Sequence, residues 1–198
     1  MSLPQNRMST IAGPTAFLVP DRLNTYDVLL DYERGGTALY DAAAGVNVRD
    51  WTFVMVGDDA TVYPNTAPGS STVMFTETGV THISGTFDQN MNFTVAYIAS
   101  GQAKLNWFNS LSGFQETLTL ASGITFPVVT LDDKRDGASG RNDILLFYIR
   151  VNKLYMRQQR DRFGVEYLMY TPTGTLTTLT QVGMTTGLRV QLEMVEVP

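Results

Sequence analysis

The chain contains no cysteine and a single histidine, His82. The first absence excludes disulfides, thiolate metal sites and cysteine nucleophiles. The second leaves a histidine- or cysteine-based metal site without the companion His or Cys it needs. His82, in "VTHISG", therefore reads as a structural strand residue. Lysine is nearly missing too: Lys104, Lys134 and Lys153 are the only lysines among 14 basic residues. Protein interfaces are poor in Lys and rich in Arg and aromatic residues. Charged residues make up 17% of the chain, against about 25% in an ordinary soluble domain, which suggests that a partner covers part of the surface. No apolar run nears the roughly 18 residues of a membrane-crossing helix, and "MSLPQNRMST" (1–10) lacks the apolar centre of a secretory signal. The expectation is a product assembled in the cytosol, with no membrane partner. No phosphate-cradling Gly loop, nucleophile elbow or zinc pattern is present.

What the chain does have is 198 residues, 43% of them apolar, enough to bury a substantial core. Apolar or alternating runs recur every 8 to 12 residues, separated by Gly, Asn, Asp and Pro, the signature of an all-β protein of antiparallel hairpins and meanders. Residues 1–25 read as an irregular arm, because Pro4, Pro14 and Pro20 oppose regular structure. An N-terminal β region follows over 26–80. "YDVLLDYER" (26–34), Gly35-Gly36 and "TALYD" (37–41) predict one hairpin; "WTFVMV" (51–56), "GDD" and "ATVYP" (60–64) predict another. "NTAPGSS" (65–71) has loop composition and marks a candidate boundary.

Residues 81–198 read as a two-unit β repeat region with a C-terminal strand, "GLRVQLEMV" (187–195). "FTVAYIASGQAKLNWFNSLSGFQETLTL" (93–120) aligns with "ILLFYIRVNKLYMRQQRDRFGVEYLMY" (144–170). Tyr97-Ile98 matches Tyr148-Ile149, Lys104-Leu105 matches Lys153-Leu154, Phe114 matches Phe163 and Glu116 matches Glu166. With "VTHISGTFD" (80–88) and "FPVVTLDD" (126–133) placed before them, each unit has four strands. A period near 50 is the spacing of β-propeller blades, so two blade-like sheets are expected. A helix competes for 154–163, with Met156, Gln159, Arg160 and Phe163 on one face; alternation of Leu154 and Met156 with Tyr155 and Arg157 favours a strand. Two blades do not close a ring, and their open edges would need covering by neighbouring segments or subunits.

Candidate chemistry is sparse. Asp132, Asp133 and Asp136 could face a divalent cation, but Lys134 and Arg135 sit between them, and an Asp-stabilised turn is the simpler reading. No carboxylate pair is singled out for sugar hydrolysis. No catalytic residue, metal ligand or cofactor site is assigned. The sharpest feature is a basic cluster beside the most apolar run, Ile144 to Ile149, which reads as an inner strand buried on both faces. Arg141, Arg150, Lys153, Arg157, Arg160 and Arg162 stand against Asp143 and Asp161 in a chain of net charge −5. Arginine beside tyrosine can hold nucleic acid, but the acidic remainder opposes a polyanion. The other readings are a solvated face with intrachain pairs, and a subunit contact formed by Arg150, Tyr155, Arg157, Gln158, Gln159, Arg160 and Arg162, whose guanidinium forks suit carboxylates. The subunit contact is the reading preferred.

Two resemblances add to this. "TFDQNMNF" (86–93) resembles the Asp-box turn of sialidase-type propellers, with Thr86, Asp88 and Phe93 in place and Asn90 where the box has Gly; such boxes are structural. More extensively, "FDQNMNFTVAYI…LNWFNSLSGF" (87–114), "VVTLDDKRD" (128–136), "DILLFYIR…KLYMRQQRDRFGVEYL" (143–168) and "VGMTTGLRVQLEM" (182–194) resemble tail-associated virion proteins of tailed bacteriophages, the short-tailed type foremost. The resemblance implies a non-enzymatic structural part of the virion tail: an adaptor, nozzle, hub or fibre-attachment protein. It further implies assembly in the host cytoplasm, as a homo-oligomeric ring of six or twelve copies in contact with other tail proteins. The alternatives are a capsid decoration protein and a carbohydrate-binding module that meets host glycans through Trp107 and Tyr155. For Trp107 a core position is the competing reading.

Overall fold

The computed structural model describes residues 15–20, 26–31, 39–41, 46–48, 50–64, 71–88, 92–132, 143–184 and 190–198. In chain order the strands are β1 (Thr15–Pro20), β2 (Tyr26–Asp31), β3 (Leu39–Asp41), β4 (Val46–Val48), β5 (Asp50–Val56) and β6 (Asp59–Pro64). Then come β7 (Thr72–Thr76), β8 (Val80–Phe87), β9 (Phe93–Ala99), β10 (Gln102–Asn109), β11 (Phe114–Thr119) and β12 (Ile124–Asp132). The last are β13 (Asp143–Arg150), β14 (Lys153–Gln158), β15 (Tyr167–Tyr170), β16 (Thr175–Met184) and β17 (Val190–Val197). One turn of 3-10 helix, Gln159–Asp161, separates β14 from β15. The protein is all-β, and every strand pairing described is antiparallel.

Three sheets carry the fold: β17-β16-β1-β2-β5-β6-β7, β11-β10-β9-β8 and β12-β13-β14-β15, with β3-β4 a separate pair. The two four-stranded sheets are simple meanders and match the two expected units strand for strand. The remaining strands form the seven-stranded sheet and the β3-β4 pair, so the described residues hold no further four-stranded meander. Equivalent positions in the two units differ by 51 residues throughout the central hairpin. Tyr97 corresponds to Tyr148, and the turn Ser100-Gly101 to Val151-Asn152. This corrects part of the sequence alignment. Lys104 pairs with Tyr97 and so corresponds to Tyr155, which pairs with Tyr148. Phe114 opens a strand, whereas Phe163 sits in a buried turn at φ 54°. The letter match of Lys104-Leu105 with Lys153-Leu154 is therefore two residues out of the structural register, which stays at 51 through Asn106 and Arg157.

Other expectations need similar correction. The arm over 1–25 contains β1, whose register runs from Thr15 to Pro20, so Pro20 ends a strand instead of preventing one. β2 does not form a hairpin with β3. Both its edges are filled, by β1 and β5, and β3 pairs with β4. The turn at Gly35-Gly36 lies outside the described residues. The β5–β6 hairpin is present, turned by Gly57 at φ 62°. β6 and β7 pair across the segment 65–71, so that segment links strands of one sheet. The C-terminal strands β16 and β17 also join this sheet, through β1.

Packing explains the non-alternating run in β13. Ile144, Leu146 and Tyr148 enter a core shared with Leu105 and Trp107 of β10 and with Phe53 and Val62 of the seven-stranded sheet. Leu145, Phe147 and Ile149 enter a second core with Leu176 and Leu179 of β16. Side chains alternate across a strand, so β13 is apolar on both faces because both are covered. The first meander is likewise backed by the seven-stranded sheet: the Phe75 ring stacks on Tyr97 at 4.7 Å, and Phe53 meets Phe87 at 5.2 Å. Phe53 lies so close to Gly85 that an added Cβ would sit 2.8 Å from its ring. The seven-stranded sheet thus contacts both meanders on their outer faces and runs past β8 and β12. The opposite edges, β11 and β15, have no strand beside them among the described residues.

Candidate functional site

The basic cluster lies where β13 and β14 meet the turn before β15. The Tyr148 hydroxyl and Arg150 Nη2 both donate to Glu166. Arg157 donates from Nε to the Tyr148 hydroxyl oxygen at 2.8 Å, from Nη1 to the Phe163 carbonyl at 2.8 Å, and from Nη2 to Glu166 at 3.4 Å. The guanidinium of Arg150 stands 5.1 Å from the Tyr155 ring centre, and Tyr155 stacks on Tyr148. Burial pushes the Glu166 carboxyl up, but hydrogen bonds from Tyr148 and Arg150 outweigh it, and the net shift is downward. Burial and the Glu166 bond push the Tyr148 hydroxyl above its usual range. The arrangement is a polar node in which one carboxylate accepts from two guanidinium groups and one phenol near the shared core, while Arg150 Nε is buried without a partner. It offers no free acid, base or nucleophile.

Of the rest of the cluster, Arg160 is paired within the chain, and Arg141 lies outside the described residues. Arg160 holds the buried Asp143 through Nε at 2.7 Å and through its backbone N–H at 2.9 Å. Gln158 donates to Asp161 at 2.8 Å, and Tyr167 donates to the same carboxylate oxygen at 2.7 Å. Of the seven residues expected at a subunit contact, Arg150, Arg157 and Arg160 therefore direct their charge at carboxylates of this chain. Tyr155 and Gln158 belong to the same network, and Gln159 is half-buried in the 3-10 turn. Arg162 is exposed at φ 54° and lines a cleft with Trp107, Glu116, Thr117, Leu118, Asp161 and Gly164. Hydrogen bonds from Ser112 and Asn109, together with the Arg162 charge, hold the Glu116 carboxyl low. Trp107 is buried and meets the Phe163 ring edge-on at 5.2 Å, so it acts as a core residue between the meanders.

The other singled-out residues have structural positions. His82 is buried on β8 with Nε2 3.0 Å from the Pro127 carbonyl of β12, and desolvation lowers its pKa to about 4. Pro127 follows Phe126, at φ 51°, in a bulge of β12. An edge strand tolerates a proline there. Asp88 accepts from the backbone N–H and side-chain amide of Asn92, both at 2.9 Å, and so closes the β8–β9 turn. That is the structural use expected of the Asp-box-like segment. Asp132 ends β12, while Asp133 and Asp136 lie outside the described residues; no group of three or more potential metal ligands occurs among those described.

Sequence reasoning did not single out β15, "YLMY". All four of its residues are exposed, and Val165 just before it is exposed as well. The signal was present: four consecutive large apolar residues without alternation, like β13. What the sequence did not reveal is that this strand ends its sheet. At its far end the Tyr170 hydroxyl donates to Glu196 of β17 at 2.7 Å, and the N–H groups of Thr173 and Gly174 donate to the same carboxylate at 2.9 and 2.7 Å. These bonds lower the Glu196 pKa to about 2.

No protein-family model, no curated protein and no solved structure matches the chain.

Proposed function

We propose that this protein is a non-enzymatic structural component of a tailed-bacteriophage virion, positioned in the tail as an adaptor, nozzle, hub or fibre-attachment protein and working through protein–protein contacts. The observation that carries the reading is the edge at β15, which has no strand beside it among the described residues and exposes Leu168 and Met169 between two tyrosines. Soluble proteins blunt such edges with charge or Pro, or cover them; an edge left apolar fits a protein that functions inside an assembly. The arginine-rich segment that resembles phage tail proteins, 143–168, is the scaffold that leads into this edge. Its arginines stabilise the subunit, while the strand that follows supplies the contact. Purified particles, dissected into heads and tails, provide the test. The chain is expected in the tail fraction at six or twelve copies. Hundreds of copies on the head would make it a decoration protein, and absence from particles would end the proposal.

A glycan-binding role has one feature in its favour, the cleft that sets Glu116, Asp161 and Arg162 beside the edge of Trp107. The burial of Trp107 against Phe163 removes the open aromatic platform such a site would use.

A further inference from the structure

We infer that β15 receives an extended, basic segment of a different protein, with apolar side chains over Leu168 and Met169 and a guanidinium group at each of the flanking tyrosines. The inference rests on the reading of β15 as a protein contact and names the chemistry of what it takes. The pattern is set inside the chain. In the node on β13 and β14 the Tyr148 hydroxyl donates to Glu166, and the Arg157 guanidinium bonds the phenol oxygen at 2.8 Å and the carboxylate at 3.4 Å. It also stands 5.9 Å from the Tyr148 ring centre, within reach of the cation–π attraction. A phenol bonded to a carboxylate is thus a receptor for guanidinium, through charge-assisted hydrogen bonds.

β15 repeats the phenol and the carboxylate of that node at both its ends. Tyr167 donates to Asp161 and Tyr170 to Glu196, each at 2.7 Å. The other donors to these two carboxylates are neutral: the Gln158 amide on Asp161, and Thr173 and Gly174 on Glu196. Neither carboxylate forms an ion pair among the described residues, whereas Glu77, Asp143 and Glu166 each hold a cation. Charge therefore selects a basic partner. It also disfavours a second copy, whose Arg150, Arg157 and Arg160 already engage carboxylates of their own chain and whose net charge is −5. Leu168 and Met169, 54% and 48% exposed between the tyrosines, call for apolar residues between the partner's basic ones. Tyr167 and Tyr170 are three residues apart, about 10 Å along a strand, which fits two arginines a similar number of positions apart in an extended segment. The bulge that leaves Met169 without a partner on β14 twists this edge, so side chains carry the contact and the sheet is not continued. Arginine fits better than lysine, because its planar fork reaches phenol and carboxylate together, as Arg157 does.

The probe is a short fluorescent peptide in which two arginines flank a Leu-Leu pair, compared with the same peptide carrying glutamates, by fluorescence anisotropy on the full chain. The arginine peptide should bind roughly tenfold or more tightly than the glutamate peptide, and added salt should weaken it. Asp161→Asn combined with Glu196→Gln keeps acceptor oxygens for the tyrosines and should weaken binding by roughly tenfold or more. Asp58→Asn, an exposed control on the β5–β6 turn, should leave it unchanged. Leu168→Lys places a cation between the tyrosines and should abolish binding with an unchanged circular dichroism spectrum, which keeps the test decisive if the double variant does not fold. A wild-type chain that ignores the arginine peptide, equal binding of the glutamate peptide, or binding that survives Leu168→Lys would overturn the inference. So would a wild-type dimer in sedimentation that Leu168→Lys dissolves, since the occupant would then be a second copy. Failure of peptide binding in a chain that is present in the tail fraction ends this inference alone. Absence from particles with peptide binding intact ends the virion reading alone.

Discussion

The two four-stranded sheets have the same strand order and the same two-residue turn at their centre, yet different forces hold them. In each, a buried tyrosine at the equivalent position points its hydroxyl at a carboxylate. In the first sheet Tyr97 donates to Glu77, which Lys104 neutralises at 2.9 Å. Burial and the Glu77 charge raise the Tyr97 pKa to about 12. In the second sheet Tyr148 donates to Glu166, which two arginines neutralise. The lysine's counterpart is Tyr155, and the counterpart of Asn106 is Arg157. The difference follows from position. Both meanders have apolar contacts on both faces, but the first ends in a strand edge, β11, dominated by Gln, Glu and Thr that water can solvate. The second gathers two guanidinium groups and a phenol around one carboxylate near its core, a compact and multiply bonded charge. Arginine supplies five donors in a fixed fork where lysine supplies three on a flexible stem.

The largest test of this contrast uses two phenylalanines that the sequence places in parallel. Phe163 is fully buried between the meanders and Phe114 is 72% exposed. Phe163→Ala should lower unfolding free energy by about 3–5 kcal/mol, and Phe114→Ala should stay within about 0.5 kcal/mol, both read from urea denaturation. Equal losses would mean that the two turns are equivalent after all. The carboxylates come next. Glu166→Ala leaves two guanidinium groups and a phenol without their acceptor, and should cost about 2–4 kcal/mol. Glu77→Ala removes a more exposed pair and should cost about 1 kcal/mol or less. A double-mutant cycle of Glu166 with Arg157 should show coupling well above that of Glu77 with Lys104.

Much of this architecture was legible in the sequence because strand period and turn chemistry are local. The four strands of each unit, the β5–β6 hairpin and the two-sided burial of Ile144 to Ile149 all follow from runs and turns. What was not legible depended on distant partners. Nothing local in "TAFLVP" says that it will bridge β2 to β16, and nothing in "YDVLLD" says that both its edges will be taken before β3 can reach it. The arginines were visible as a cluster, but their acceptors were not. Asp143 is 17 residues from Arg160, and Glu166 is 16 from Arg150, distances at which sequence alone does not reveal who faces whom. The apolar edge was hidden for the same reason, since a short apolar strand reads alike whether it is interior or terminal.

The closed side of the two sheets supplies a pH test. His82 on β8 is held neutral against β12, with its pKa lowered from 6.5 to about 4. A histidine depressed in the folded state takes up its proton first in the unfolded state. Its contribution is therefore fully present above pH 6.5 and is lost as pH falls from about 6.5 to 4. The loss should reach about 2–3 kcal/mol near pH 4.5. His82→Gln, which keeps a donor for the Pro127 carbonyl, should flatten the dependence over that window in urea titrations. A wild-type profile already flat between pH 7 and 5 would mean that the β8–β12 contact admits water.

The smallest effect concerns the paired turns themselves. Ser100-Gly101 and Val151-Asn152 each join two strands with positive φ at both central residues, the geometry that Asn and Gly adopt most readily. Valine is a poor occupant, because its branched Cβ crowds the following carbonyl in the left-handed region. Its side chain, 76% exposed, recovers nothing by burial. Asn152 is better explained: its side chain donates to the Gly174 carbonyl and accepts from the Leu176 N–H, both at 2.8 Å, tying the turn to β16. Val151→Asn should therefore raise stability by about 1 kcal/mol, while Ser100→Asn changes little. Asn152→Gly should lose stability despite its better turn propensity, since it cuts the tie to β16. If Val151→Asn instead destabilises the isolated chain, the valine side chain makes a packing contact within the subunit. If it leaves the chain stable but slows assembly, the strain at this tip is retained to hold an apolar knob out for a neighbour.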